Sequence, residues 1–90
     1  MLKTKNLEAY MSGGVEKHIN GTFTIYGYID NVKSGEEIGR HKCTYGEYTI
    51  KDARRMFKIE LKDILDLCEE YKIFTNDDWI IFDYPHKAMF

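Results

Sequence analysis

Residues 49–71, TIKDARRMFKIELKDILDLCEEY, hold the reading on which the fold turns. Thr49 is a ready helix N-cap, because its hydroxyl can accept from a backbone N–H of the first turn. A short helix is predicted over 50–57. A second is predicted over 61–71, where Ile64, Leu65, Leu67, Cys68 and Tyr71 recur at helical spacing. Between them a tight turn is expected. Ala53, Phe57, Ile59, Ile64 and Leu67 would then face inward and hold the two helices at a steep angle.

Charge divides the same stretch. Lys51, Arg54, Arg55 and Lys58 against Asp52 make the first helix basic, whereas Glu60, Asp63, Asp66, Glu69 and Glu70 against Lys62 and Lys72 make the second acidic. The inward positions resemble those of the helix-turn-helix superfamily over roughly twenty residues. That resemblance implies a DNA-binding regulator of winged-helix type, with the four cations of the first helix on phosphates. Two positions depart from the pattern. Arg54 stands where a small residue lets the helices approach, and Lys58 stands where the turn glycine belongs. The electrostatics also oppose it, because the helix that would read bases presents carboxylates to phosphate. Two helices packed on a sheet are the favoured reading.

Outward from this stretch, 4–11 reads as a short N-terminal helix capped by Thr4 and stopped by Gly13 and Gly14. Asn20-Gly21 is a hairpin signal, since both residues tolerate positive φ. It joins strands at 15–19 and 22–29, and a turn at 30–37 leads to a third strand at 38–45. Alternation puts Phe23, Ile25 and Ile29 on one face and Thr24, Tyr26 and Tyr28 on the other. Residues 79–84, WIIFDY, form a last strand that completes the sheet or pairs with 71–75. The expected fold is a single α+β domain over 1–90: a small antiparallel sheet, made of a meander plus the C-terminal strand, with a packed helical pair and a short N-terminal helix. Its expected core is Phe23, Ile25, Ile29, Ile59, Ile64, Leu67 and either Trp79 or Ile81.

Composition bounds the function. Hydrophobic residues make up 43% of the chain and charged residues 31%, which argues for a globular domain and against disorder. The N-terminal MLKTKNLEAYMSGG lacks the apolar stretch of a signal peptide, and no run is long enough to span a membrane. A cytoplasmic location with Cys43 and Cys68 as reduced thiols is therefore expected. The net charge of −2 provides no broad basic surface for nucleic acid.

Chemistry-bearing patterns are sparse. His41 and Cys43 are two apart on a predicted strand, and Cys68 and His86 could complete a set of four metal ligands. The pattern lacks a C-x-x-C pair, and a buried cysteine beside a surface histidine explains it as well. If 56–62 were a strand, Glu60 and Lys62 would share a face as an E-x-K pair of the kind found in metal-dependent nucleases and hydrolases. No second acidic residue can be placed beside it. His18, next to a turn, reads as solvated. No catalytic, metal or cofactor site is expected.

The remaining surfaces suggest binding. Pairing Ile29 with Ile38 would put Tyr26 and Tyr28 on one face with His41, Cys43 and Tyr45, an aromatic strip suited to protein contact. Asp63, Asp66, Glu69 and Glu70 form an acidic ridge suited to a basic surface, such as one that normally holds nucleic acid. We therefore expect a small non-catalytic protein-binding module, an inhibitor or regulator, contacting its partner through Tyr26, Tyr28, Tyr45, His41, Asp63, Asp66, Glu69 and Glu70. Phages and other mobile elements encode many chains of this size and composition, anti-CRISPR antagonists of host defence among them. The two alternatives are the winged-helix DNA-binding regulator and the small metal-dependent nuclease or hydrolase.

Overall fold

The computed structural model describes residues 2–76 and the strand at 80–83. The elements run β1 (Leu2–Lys3), β2 (Leu7–Met11), β3 (Glu16–Lys17), β4 (Phe23–Asn31), β5 (Glu37–Tyr45), α1 (Ile50–Glu70) and β6 (Ile80–Asp83). They form an α+β fold of two layers, one sheet and one helix. Sheet order is β1-β2-β4-β5-β6, with β3 alongside β4 beyond the end of β2. Strands β1 to β5 pair antiparallel, and β6 adds parallel to β5 after the helical crossover. The C-terminal strand thus completes the sheet. Trp79, a candidate for the core, lies outside the described residues, as does the side chain of Ile81.

The expected helical pair is one continuous helix. Thr49 caps it as anticipated, its hydroxyl accepting from Asp52 N–H at 3.1 Å. No glycine or proline interrupts 50–70, and Lys58, Ile59, Glu60 and Leu61 all sustain a helix, so nothing enforces a turn. An unbroken helix has one phase. Ala53, Phe57, Leu61, Ile64, Leu65 and Cys68 are buried, and Ile59 and Leu67 stand 61% and 45% exposed. Both residues leave the expected core. The helix ends in a Schellman turn: Ile73 N–H reaches Cys68 O at 2.9 Å, Lys72 N–H reaches Glu69 O at 3.3 Å, and Lys72 takes φ 56°.

The expected N-terminal helix is instead the hairpin of β1 and β2. Thr4 does cap backbone, accepting from Leu7 N–H at 3.1 Å, but across a tight turn. The alternation Leu7, Ala9, Met11 outweighs the helical edge, and Leu7 and Ala9 are buried.

Both hairpin registers differ by one residue from expectation. At Asn20-Gly21 the loop has three residues, because His18 N–H bonds to Thr22 O and Gly21 sits at φ 87°. Ile19 is left fully exposed at the tip. Between β4 and β5, Ile29 pairs with Gly39 and Asp30 with Glu37, with an irregularity between the two pairs. The extra residue, Ile38, is buried. A slip of one residue exchanges faces. His41, Cys43 and Tyr45 therefore join Phe23, Ile25 and Ile29 beneath the helix, and Arg40, Lys42 and Thr44 turn outward beside Tyr28, Tyr26 and Thr24.

Candidate functional site

One face of the sheet is covered by α1, and no described helix covers the other. Four rows of side chains cross this open face. In the central row, Tyr10 on β2 pairs with Tyr28 on β4, which pairs with Arg40 on β5. The tyrosine rings lie 5.5 Å apart between centroids, and the Arg40 guanidinium lies 5.6 Å from the Tyr28 ring centre. Glu37 aims that guanidinium, accepting from Nε at 2.8 Å and from Nη2 at 3.4 Å. Tyr10 is 43% exposed. Partial burial, and then its bond to Asp30, raise its phenol pKa, so it stays a neutral donor at physiological pH.

On one side lies the row Glu8, Asp30 and Glu37. On the other, Tyr26 stands opposite Lys42 and donates to Glu16 at 2.7 Å. Beyond it, Thr24 and Thr44 share a hydrogen bond of 2.8 Å, and His18 Nε2 lies 2.7 Å from the Thr24 hydroxyl. The face carries Glu8, Glu16, Asp30 and Glu37 against Lys3, Arg40 and Lys42, so it is not basic.

The His18–Thr24 pair has the reach of a base and a nucleophile, but its surroundings oppose that chemistry. Glu16 approaches His18 to 4.0 Å at the same Nε2, rather than holding the other ring nitrogen as an orienting acid would. Thr24 is buried and already engaged with Thr44. The arrangement ties the β3–β4 hairpin to β5.

His41 and Tyr45, expected on the aromatic strip, are fully buried on the opposite face. Tyr45 Oη donates to Glu60 Oε2 at 2.8 Å, and His41 Nε2 lies 3.9 Å from the same oxygen. The His41 ring stacks on Phe57 with centroids 4.8 Å apart. Burial, and then the Glu60 bond, push the Tyr45 phenol far above its ordinary range, so it acts as a permanent donor. These groups fasten β5 to α1 and offer no surface to a partner.

The other chemical candidates also resolve. Cys43 and Cys68 are buried free thiols, and burial pushes Cys68 up to about 11, well away from a reactive thiolate at neutral pH. His86 lies outside the described residues. Among the described residues, no three His, Cys, Asp or Glu side chains gather as metal ligands. Glu60 and Lys62 sit on a helix, two residues apart, and so do not share a face as the nuclease pattern needs.

The acidic ridge divides. Glu69 turns toward the β1–β2 hairpin, accepting from Thr4 Oγ1 and from Asn6 Nδ2 at 2.6 Å each, which lowers its pKa. Asp63, Asp66 and Glu70 remain exposed, with Asp66 held by Lys62 at 3.2 Å. Between them stand Ile59, Leu67 and Tyr71, all exposed. Sequence reasoning had placed Ile59 and Leu67 inside and so missed this apolar component. The spacing 59, 63, 67, 71 is its signal, one stripe along a single helix.

No protein-family model, curated protein or solved structure matches the chain. Among the described residues, no helix is long and apolar enough to cross a membrane.

Proposed function

We propose that the protein is a small non-catalytic module that binds a protein partner through the open face of its sheet, acting as an inhibitor or regulator. The row Tyr10–Tyr28–Arg40 carries this reading. Tyrosine and arginine are the residues on which interface energy concentrates, and here they form one contiguous strip on rigid strands. Prepositioned rings lose little conformational freedom on binding. A stacking platform for single-stranded nucleic acid uses similar rings but needs a surplus of cations, which this face lacks.

A second reading has its own observation. Ile59, Leu67 and Tyr71 stand exposed among Asp63, Asp66 and Glu70, which suits a partner with a basic surface of the kind that holds nucleic acid. A phage-encoded antagonist of the anti-CRISPR kind would use such a ridge, a placement that otherwise rests on chain length and composition.

Site-specific photo-crosslinking tests the assignment. A photoreactive residue is introduced at Tyr26 on the sheet face, at Lys62 beside the ridge, and at Lys33 in the β4–β5 turn as a control. Adducts with a defined protein from position 26, lost when Tyr28→Ala is added without loss of folding, are the expected result. Adducts confined to position 62 would move the interface to the helix, and equal capture from position 33 would refute both.

A further inference from the structure

A cleft of about 270 Å³ opens where α1 crosses the β1–β2 edge, lined by Leu2, Ala9, Tyr10, Met11, Arg54, Lys58 and Leu61. Its origin is local. Ala9 is the smallest side chain on the helix-facing side of β2, and the edge strand β1 spans only Leu2–Lys3. The sheet thus runs out of side-chain volume just where Leu61 descends from the helix. Ala9 and Leu61 are buried, so the floor is apolar.

The mouth has the opposite character. Arg54 and Lys58 are one turn apart on the same side of α1, a like-charged i, i+4 pair that is mildly unfavourable as it stands. Arg54 Nη1 touches the Ser12 carbonyl at a marginal 3.5 Å. Among the described residues, neither cation has a carboxylate partner, whereas Arg40, Arg55 and Lys62 are each paired with one. No acidic residue lies three or four positions from either Arg54 or Lys58. An anion between the two would relieve their repulsion. Beside an apolar floor its attraction would be less screened than in open water.

We propose that this cleft binds a medium-chain aliphatic carboxylate, with the tail on Ala9, Met11 and Leu61 and the headgroup between Arg54 and Lys58. The volume amounts to roughly nine water molecules, which suits a tail of medium length rather than a large ring system. A guanidinium can take a carboxylate through two parallel bonds, and the ammonium supplies a third donor. Phosphate-rich ligands fit less well, because most of the lining is hydrocarbon. Of the residues lining the cleft, Tyr10 alone also belongs to the central row of the sheet face, and the headgroup and tail contacts do not use it.

Titration of isotope-labelled protein with octanoate, followed through backbone amide resonances, tests it. Saturable shifts at Ala9, Met11 and Leu61 are expected. Acetate, which lacks the tail, and octylammonium, which reverses the charge, should each give no saturable change at the same concentrations. Lys58→Ala, an exposed substitution that leaves the core intact, should weaken octanoate roughly tenfold, as should Arg54→Ala. Ala9→Leu should fill the cleft and abolish binding with the amide spectrum still that of a folded chain. The proposal is overturned if octanoate gives no saturable shift, if acetate or octylammonium binds equally well, or if Lys58→Ala leaves affinity unchanged.

Discussion

Gly27→Ala tests the seating of the helix on the sheet. Gly27 lies mid-strand in β4 on the helix side, between Met11 on β2 and His41 on β5. A Cβ added there would stand 2.8 Å from Phe57 Cε2, 3.0 Å from Phe57 Cζ and 3.1 Å from Leu61 Cδ1. Carbon atoms prefer about 3.5–4.0 Å, so the ring or the helix must retreat by roughly half an ångström or more. Phe57 has little freedom to do so, being fully buried and stacked on His41. Overpacking of this kind costs about 1–3 kcal/mol. Gly27 does not occupy the left-handed region, so alanine recovers about 0.4–1 kcal/mol through a less disordered unfolded chain. The net loss should be about 1–2 kcal/mol, a fall in Tm of roughly 5–15 °C for a domain of this size. Phe57→Leu alone should cost about 1–3 kcal/mol through lost burial. It also removes the two nearest atoms that the new Cβ would strike, Phe57 Cε2 and Cζ. The double variant should therefore lose less than the two single losses together, by at least about 1 kcal/mol. Urea unfolding followed by circular dichroism gives all three values. Additivity within about 0.5 kcal/mol would show that the helix does not rest on Gly27, and the two-layer packing argument would fail.

Leu65→Ala should cost about 2–5 kcal/mol and Leu67→Ala under about 1 kcal/mol, since the first is 2% exposed and the second 45%; denaturant unfolding that reverses this order would overturn the phase of α1. Lys72→Gly should stabilise the fold by roughly 0.5–1 kcal/mol, because Lys72 holds the left-handed conformation of the Schellman turn; thermal melting that shows a loss would indicate that the lysine side chain contributes there. Glu69→Gln should reduce stability at pH 7 by less than about 1 kcal/mol, given its partial exposure. Because its bonds to Thr4 and Asn6 lower the folded-state pKa, that advantage is present above the unfolded value of about 4.3 and fades as pH falls through the lower folded value. A difference between parent and variant that persists unchanged at pH 2 would refute it.

Much of the architecture was legible because single residues signalled it. The alternation of Phe23, Ile25 and Ile29 with Thr24, Tyr26 and Tyr28 assigned the faces of β4 correctly, and Thr49 marked the start of the helix. What failed was phase. Apolar residues occupy two stripes of 50–71, and a turn at 58–60 let each half choose its own stripe. The continuous helix selects the one through Phe57, Leu61, Leu65 and Cys68, which puts Leu67 outside. The register errors share a cause. Asn20-Gly21 serves a two-residue or a three-residue loop equally well, and nothing in Asp30–Glu37 announces that Ile38 is the unpaired residue of β5. The five residues of β2 are too few to separate alternation from helical spacing.

The β4–β5 slip changes what the candidate site can be, beyond where its residues lie. In the expected register, Tyr26 and Tyr28 would have stood beside a histidine and a cysteine, a setting that invites metal or nucleophile chemistry. The irregularity at Ile29 turns both beneath the helix, where His41 stacks on Phe57 and Tyr45 is fixed to Glu60. In their place it turns out Arg40 and Lys42, and the guanidinium comes to rest beside the Tyr28 ring. An open sheet face with tyrosines and cations could serve stacked bases or a protein. The carboxylates favour the protein proposed above. Glu37 already holds Arg40, Glu16 already accepts from Tyr26, and Glu8 and Asp30 line the same face, so a phosphate backbone would meet repulsion where it needs neutralisation. A protein surface can answer a mosaic of both signs with its own, and the fixed rings at the centre then supply the anchor that such a mosaic lacks.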